Sequence, residues 1–133
     1  MKKIQISVFI LTILISMSFS VSSSFIQDKW VAPDSAKELK NPYTDSASII
    51  KGKSIYQIRC VVCHGTTGVG DGPAGKTLTP PAADQTTAEV QAQTDGELFW
   101  KISEGRGSMV GWKLMLSEEE RWALVNYIRT LAK

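Results

Sequence analysis

Cys60-Val61-Val62-Cys63-His64 decides how the rest of the chain is read. Two thiols three positions apart on a helical stretch project from one face, roughly one turn from each other. An imidazole follows at once. These are the only two cysteines and the only histidine among 133 residues, so every thiol and imidazole of the chain is gathered here. Three ordinary readings compete. A thioredoxin-like redox pair requires a βαβ context, and nothing in the sequence alternates strand with helix. A tetrahedral zinc site wants four protein ligands, or three plus water, and the missing ones would have to be carboxylates. A structural disulfide closing so short a loop gains little stability.

The remaining reading is attachment of a c-type haem, for which Cys-x-x-Cys-His is the pattern. Both sulfurs then reach the vinyl groups on one edge of the porphyrin, and His64 offers its ring to the iron as proximal axial ligand. The expected cofactor is one covalent haem c, held by Cys60 and Cys63.

The chain's beginning suits that chemistry. Met1-Lys2-Lys3 followed by the apolar run from Ile4 to Phe19 reads as a secretory signal over residues 1–20, with small residues such as Ser18 and Ser20 for cleavage. An uncleaved anchor is the alternative, since the run is near the lower limit for a membrane span. Either way the domain is expected outside the cytoplasm, in the periplasm or on the outer face of the membrane. Residues 21–45, with Ser22 to Ser24, Pro33 and Pro42, read as linker, with Trp30 and Tyr43 packed on the domain's flank. Residues 46–133 form the domain. Without Lys2 and Lys3 the 15 basic residues fall level with the 13 acidic ones, so no basic field suggests nucleic acid.

Within the domain the periodicity is helical and never β. From Ala47 to Val62 the residues Ile49, Ile50, Ile55, Tyr56 and Ile58 make an apolar stripe, with Asp45 or Ser46 as cap. Gly52 sits inside it, at a cost of about 1 kcal/mol relative to alanine, as where another backbone must come close. Gly65 to Gly75 holds five glycines and is a loop; its lysine is misplaced for a phosphate cradle, and no strand precedes it. The stretch from Leu78 to Thr87, with Pro80-Pro81, has no period and is expected to wrap the haem's lower edge. Thr94-Asp95-Gly96-Glu97 is a capping box, followed by the apolar face of Leu98, Phe99 and Ile102 and stopped by Gly105. Ser117 to Glu120 is a second capping box, opening a helix expected to run to the C-terminus. Three main helices joined by long loops make an all-α domain.

Together these features resemble a monohaem class I cytochrome c, over about residues 46–133. The motif lies on the first helix, a Gly-rich loop from Arg106 to Met109 lies far downstream, and the terminal helix carries Trp122 and Tyr127. The resemblance implies the small cytochrome c fold, three helices and long loops wrapped around one covalently bound haem. It implies Met109 as the second axial ligand opposite His64. It implies a crossing of first and last helices where Gly52 and Tyr56 meet the Trp122/Tyr127 face. The run from His64 to Pro73 resembles a bacterial branch in which the Pro73 carbonyl accepts the proximal imidazole's N–H. One departure stands out: where the family usually has proline after the ligand methionine, this chain has Val110, so the loop loses a φ constraint.

With both axial positions filled, the function implied is one-electron transfer, not catalysis, in contact with redox partner proteins. Alternatives are a haem relay in a larger membrane respiratory complex, or an open-site haem that handles peroxide or binds gas if Met109 does not ligate. Weaker candidates around the cofactor are Arg106, for a propionate, and Trp112, Leu98, Ile102 and Trp100, for the crevice wall. Lys76 and Lys113 are candidates for a docking patch.

Overall fold

The computed structural model describes residues 29–133; the expected export segment lies outside the described residues. The described chain is all-α, with no strand and three main helices. These are α2 (Ser46–Arg59), α5 (Asp95–Glu104) and α6 (Glu118–Arg129). Four-residue helices α1 (Asp34–Lys37), α3 (Val61–His64) and α4 (Ala88–Gln91), and a 3₁₀ turn at Gly75–Thr77, punctuate the loops. Among the described residues no helix is long and apolar enough to cross a membrane.

Each long helix begins where local chemistry dictates. Asp45 accepts from the Ser48 N–H at 2.7 Å, meeting one of the orphan donors at the start of α2. Thr94 with Glu97, and Ser117 with Glu120, form reciprocal capping boxes at α5 and α6. Carboxylates in the first turns of α5 and α6 also complement the positive ends of the helix dipoles. α6 stops at Arg129, short of the C-terminus. There the backbone tightens, with Thr130 N–H on the Tyr127 carbonyl at 2.9 Å and Leu131 N–H on the Ile128 carbonyl at 3.0 Å. The Arg129 side chain reaches sideways, Nε to Asp95 Oδ1 and Nη1 to the Gln91 carbonyl, both at 2.8 Å.

The core lies where α2 crosses α6. Gly52 makes that crossing possible, because a Cβ there would stand 1.9 Å from the Ala123 carbonyl oxygen. One turn on, the fully buried Tyr56 meets Tyr127 edge to face, ring centroids 5.0 Å apart. Trp122 turns away from this crossing and stacks on Phe99 of α5, centroids 4.0 Å apart. It therefore joins α6 to α5, and Ala123 takes the place at Gly52.

Two expectations need correcting. The part of the predicted linker that is described, residues 29–45, is not loose chain. Ala32 and Ala36 are buried, and Gly96 lets α1 approach α5 so closely that a Cβ there would lie 1.9 Å from the Ala36 carbonyl. Trp30 lies against Trp100 at 6.3 Å, and Asn41 bonds Asn126 of α6 at 2.7 Å. A four-residue helix with Ala36 as its one buried residue is too short to register as a period. The second correction is that α2 does not run on to Val62. It ends at Arg59; Cys60 serves as its C-cap and as the N-cap of α3.

Candidate haem-binding site

The break at Cys60 places the motif on its own turn. His64 N–H donates to the Cys60 carbonyl at 2.8 Å and Gly65 N–H to the Val61 carbonyl at 2.9 Å, after which Gly65 turns the chain away at φ 76°. The glycine loop then folds back beneath this turn: Gly72 N–H donates to the Cys63 carbonyl and Ala74 N–H to the Val62 carbonyl. Gly72 has no room for a side chain, because a Cβ would sit 2.4 Å from the Val61 oxygen. The motif turn is thus braced from its C-terminal side by backbone alone.

Cys60 and Cys63 are both unpaired thiols, half-buried. Burial, and then the neighbouring Cys63, push the Cys60 thiol up to about 12, so it is protonated at neutral pH. Burial also lowers the affinity of His64 for a second proton, partly opposed by its bond to a backbone carbonyl. That bond fixes the ring: Nδ1 lies 3.1 Å from the Ala83 carbonyl oxygen. A carbonyl can only accept, so the neutral imidazole carries its proton on Nδ1 and presents a lone pair at Nε2.

The carbonyl is Ala83's, where Pro73 was expected. The segment around Pro73 is spent on the motif turn through Gly72 and Ala74, and Pro73 itself is exposed. The segment after the two prolines comes back instead, pinned by Ala82 N–H on the Gly75 carbonyl at 3.2 Å and Gln85 N–H on the Gly68 carbonyl at 2.7 Å. Sequence reasoning did not single out Ala83, and a backbone acceptor leaves no mark on residue identity. Gln85 was also missed. Its Oε1 is placed 2.8 Å from the Tyr56 hydroxyl, which lies 3.2 Å from the Gly65 carbonyl. The hydroxyl has one proton, and Gln85 Oε1 is the nearer of the two acceptors.

The remaining candidates border one apolar cluster. Leu98 and Ile102 are buried in it, and Cys60, Val61, Met109, Trp112 and Leu116 pack against it half-buried. The site thus draws on the motif, α5 and the loop before α6. Arg106 and Met109 pair through both backbone N–H groups, each at 2.9 Å from the other's carbonyl oxygen, which closes the loop tip at Gly107. Trp100 lies elsewhere, against Trp30. Lys113 bonds Glu104 at 3.1 Å, and Lys76 is exposed at the 3₁₀ turn.

The donor set fits haem c: two unpaired thiols on one turn, and beside them a neutral imidazole held with its lone pair free. Apolar side chains left uncovered fit it too, with Val62 52% and Val110 51% exposed on the motif turn and the downstream loop. Residues 47–128 match the model of the family described as cytochrome c oxidase, cbb3-type, subunit III. The chain is a c-type cytochrome.

The solved structures agree with this. The cytochrome resembles the c-type cytochrome KustC0563 with TM-score 0.56 and 33% identity, over 62% of this chain and 98% of that one. It also resembles a chain of the Kuenenia stuttgartiensis reducing HAO-like protein complex Kustc0457/Kustc0458, with TM-score 0.63 and 25% identity. That match covers 71% of this chain and 48% of the other, so the cytochrome spans about half of that relative's length. No curated protein matches the chain. A cytochrome c domain bearing the Cys60–Cys63 pair implies covalent haem c. Members of the family are typically electron carriers rather than enzymes, and c-type cytochromes are extracytoplasmic.

Proposed function

We propose that this cytochrome is an exported one-electron carrier whose haem c is bonded to Cys60 and Cys63, with His64 and Met109 as axial ligands. The observation that carries the reading is the His64 ring, fixed through Nδ1 on the Ala83 carbonyl beside two unpaired thiols. Holding the proton on Nδ1 orients the ring and raises the basicity of Nε2, the atom that would face iron. Met109 is favoured over Met115 by placement: it is half-buried against the cluster of Leu98 and Ile102, whereas Met115 is 56% exposed.

Bound there, the cofactor would supply a one-electron couple, and a thioether ligand would favour its reduced state. The polypeptide's work is then positional. Ala83 holds the imidazole, the glycine loop braces the motif turn, and the apolar cluster keeps water from one face. No further histidine is available for acid–base work. Transfer to a partner needs only brief docking through a small interface.

A second reading, a haem relay within a larger respiratory assembly, draws on the family description and on the relative found in a complex. Size-exclusion chromatography of the protein from its native membrane and soluble fractions separates the two.

Covalent attachment has a direct test. The full chain, matured in a host that attaches haem c, should keep haem staining through denaturing electrophoresis. Replacing Cys60 and Cys63 together by alanine should abolish it. Retained staining in the double variant would refute the attachment site.

A further inference from the structure

The loop from Gly105 to Leu116 is moored almost wholly on its own side of the site. Trp112 N–H donates to the Ile102 carbonyl at 3.0 Å and Lys113 N–H to the Ser103 carbonyl at 3.1 Å, which ties the loop's second half to α5. Met115 and Leu116 N–H groups both return to the Trp112 carbonyl, at 3.0 and 2.9 Å. The Lys113 ammonium goes to Glu104, again on α5. None of these bonds reaches the motif. Val110 adds no rigidity of its own, because it is half exposed and leaves φ free where a proline would fix it.

Beyond the apolar packing that Met109 and Trp112 share with Cys60 and Val61, a polar contact of Trp112 crosses to the motif side. The Arg59 guanidinium stands over the Trp112 ring, 5.9 Å from its centroid. Arg59 is the last residue of α2 and directly precedes Cys60. Its charge suits the negative helix end, and it forms no ion pair among the described residues that would draw it elsewhere. A planar, weakly hydrated cation is the group best able to rest on an indole face in partial contact with water. Trp112 carries the bonds of the loop's second half, and its ring packs on the same apolar cluster as Met109, three residues before it. A grip on that ring therefore acts on Met109 through the short intervening chain and the shared packing.

We propose that Arg59 is a positioning residue: by holding Trp112 it keeps the Met109 loop closed against the haem-binding motif. This rests on Met109 being the axial ligand. The loop alternates between closed and open forms, and an external ligand such as CO reaches ferrous iron only in the open one. The rate of CO binding then reports the open fraction.

The experiment compares the full-length holoprotein with Arg59→Met, Arg59→Lys, Trp112→Leu and the Arg59→Met/Trp112→Leu pair. Covalent haem staining and helical circular dichroism check that each has folded. Arg59→Met should speed CO binding by roughly two- to five-fold, the weight of an exposed cation–π contact. Arg59→Lys should recover part of the loss, and the pair should be no faster than the faster single variant, as expected of residues acting as one unit. The red absorption of the ferric iron–sulfur bond should persist in every variant. Unchanged CO rates in Arg59→Met with that band present, or fully additive effects in the pair, would overturn the role of Arg59 and leave the ligand assignment standing. A wild-type protein lacking the band would overturn the ligand assignment, and the role of Arg59 with it.

Discussion

Met109→Ala should strip the ferric protein of its red iron–sulfur absorption, lower the reduction potential and let the ferrous form bind CO at neutral pH. Three changes are expected from one side chain because axial ligation sets all three. As the proposed ligand, the soft thioether would stabilise ferrous iron, so its loss should move the potential down by a sizeable part of the roughly 0.8 V that axial ligands span. It would also block the sixth position, which would open on its removal. Met115→Leu is the control, since Met115 is 56% exposed and stands just before the start of α6. Visible spectra and a redox titration of both variants decide the matter. If Met115→Leu loses the band while Met109→Ala keeps it, the ligands have been assigned wrongly.

Gly52→Ala is expected to destabilise the protein strongly for a single added methyl group. On helix propensity alone the change would add about 1 kcal/mol of stability. The crossing reverses the sign. The added Cβ would lie 1.9 Å from the Ala123 carbonyl oxygen and 3.0 Å from the Tyr127 Cβ, and the nearer obstacle is backbone that no rotamer change can move. α2 must separate from α6, which also disturbs the buried Tyr56 and its contact with Tyr127. A net loss of about 3 kcal/mol follows, at the upper end of ordinary overpacking. Denaturant unfolding of the holoprotein, followed by circular dichroism, measures it. A midpoint equal to or above wild type would show that the helices do not meet as described.

The contrast between those two residues explains what the sequence could disclose. Gly52 was legible because a glycine inside an apolar helical stripe is costly unless something presses on it. The Thr94–Glu97 and Ser117–Glu120 capping boxes were legible because their chemistry is confined to four consecutive residues. The motif itself, Cys60 to His64, carries its meaning in residue type and spacing. What stayed hidden depends on tertiary contacts. The switch from Pro73 to Ala83 as the imidazole's partner turns on which backbone carbonyl comes round beneath His64, and every residue has a carbonyl. The seating of α1 on α5 depends on Ala36 and Gly96, whose small size matters only once they face each other. Trp122 and Tyr127 look like one face in the sequence, but the two point to different neighbours, Phe99 and Tyr56. The end of α2 at Arg59 was equally invisible, since Cys60 and Val61 carry no strong stop signal.

These hidden features bear on function as much as the legible ones. The ring of His64 is held by a residue of no chemical distinction, and the loop bearing Met109 is held by Trp112 from α5 and from Arg59. Residue types announce which groups could meet an iron. Backbone geometry decides how firmly they are presented.

The central claim is that iron is held between His64 and Met109 in a covalently attached haem that passes single electrons. A redox titration of the full-length holoprotein, followed in the visible and repeated with CO over the reduced form, tests it most directly. The expected result is one wave of one-electron slope, a red iron–sulfur band in the oxidised protein, and no CO binding at neutral pH on the time scale of the titration. Immediate and stoichiometric CO binding by the reduced wild-type protein, with no such band in its oxidised form, would contradict it.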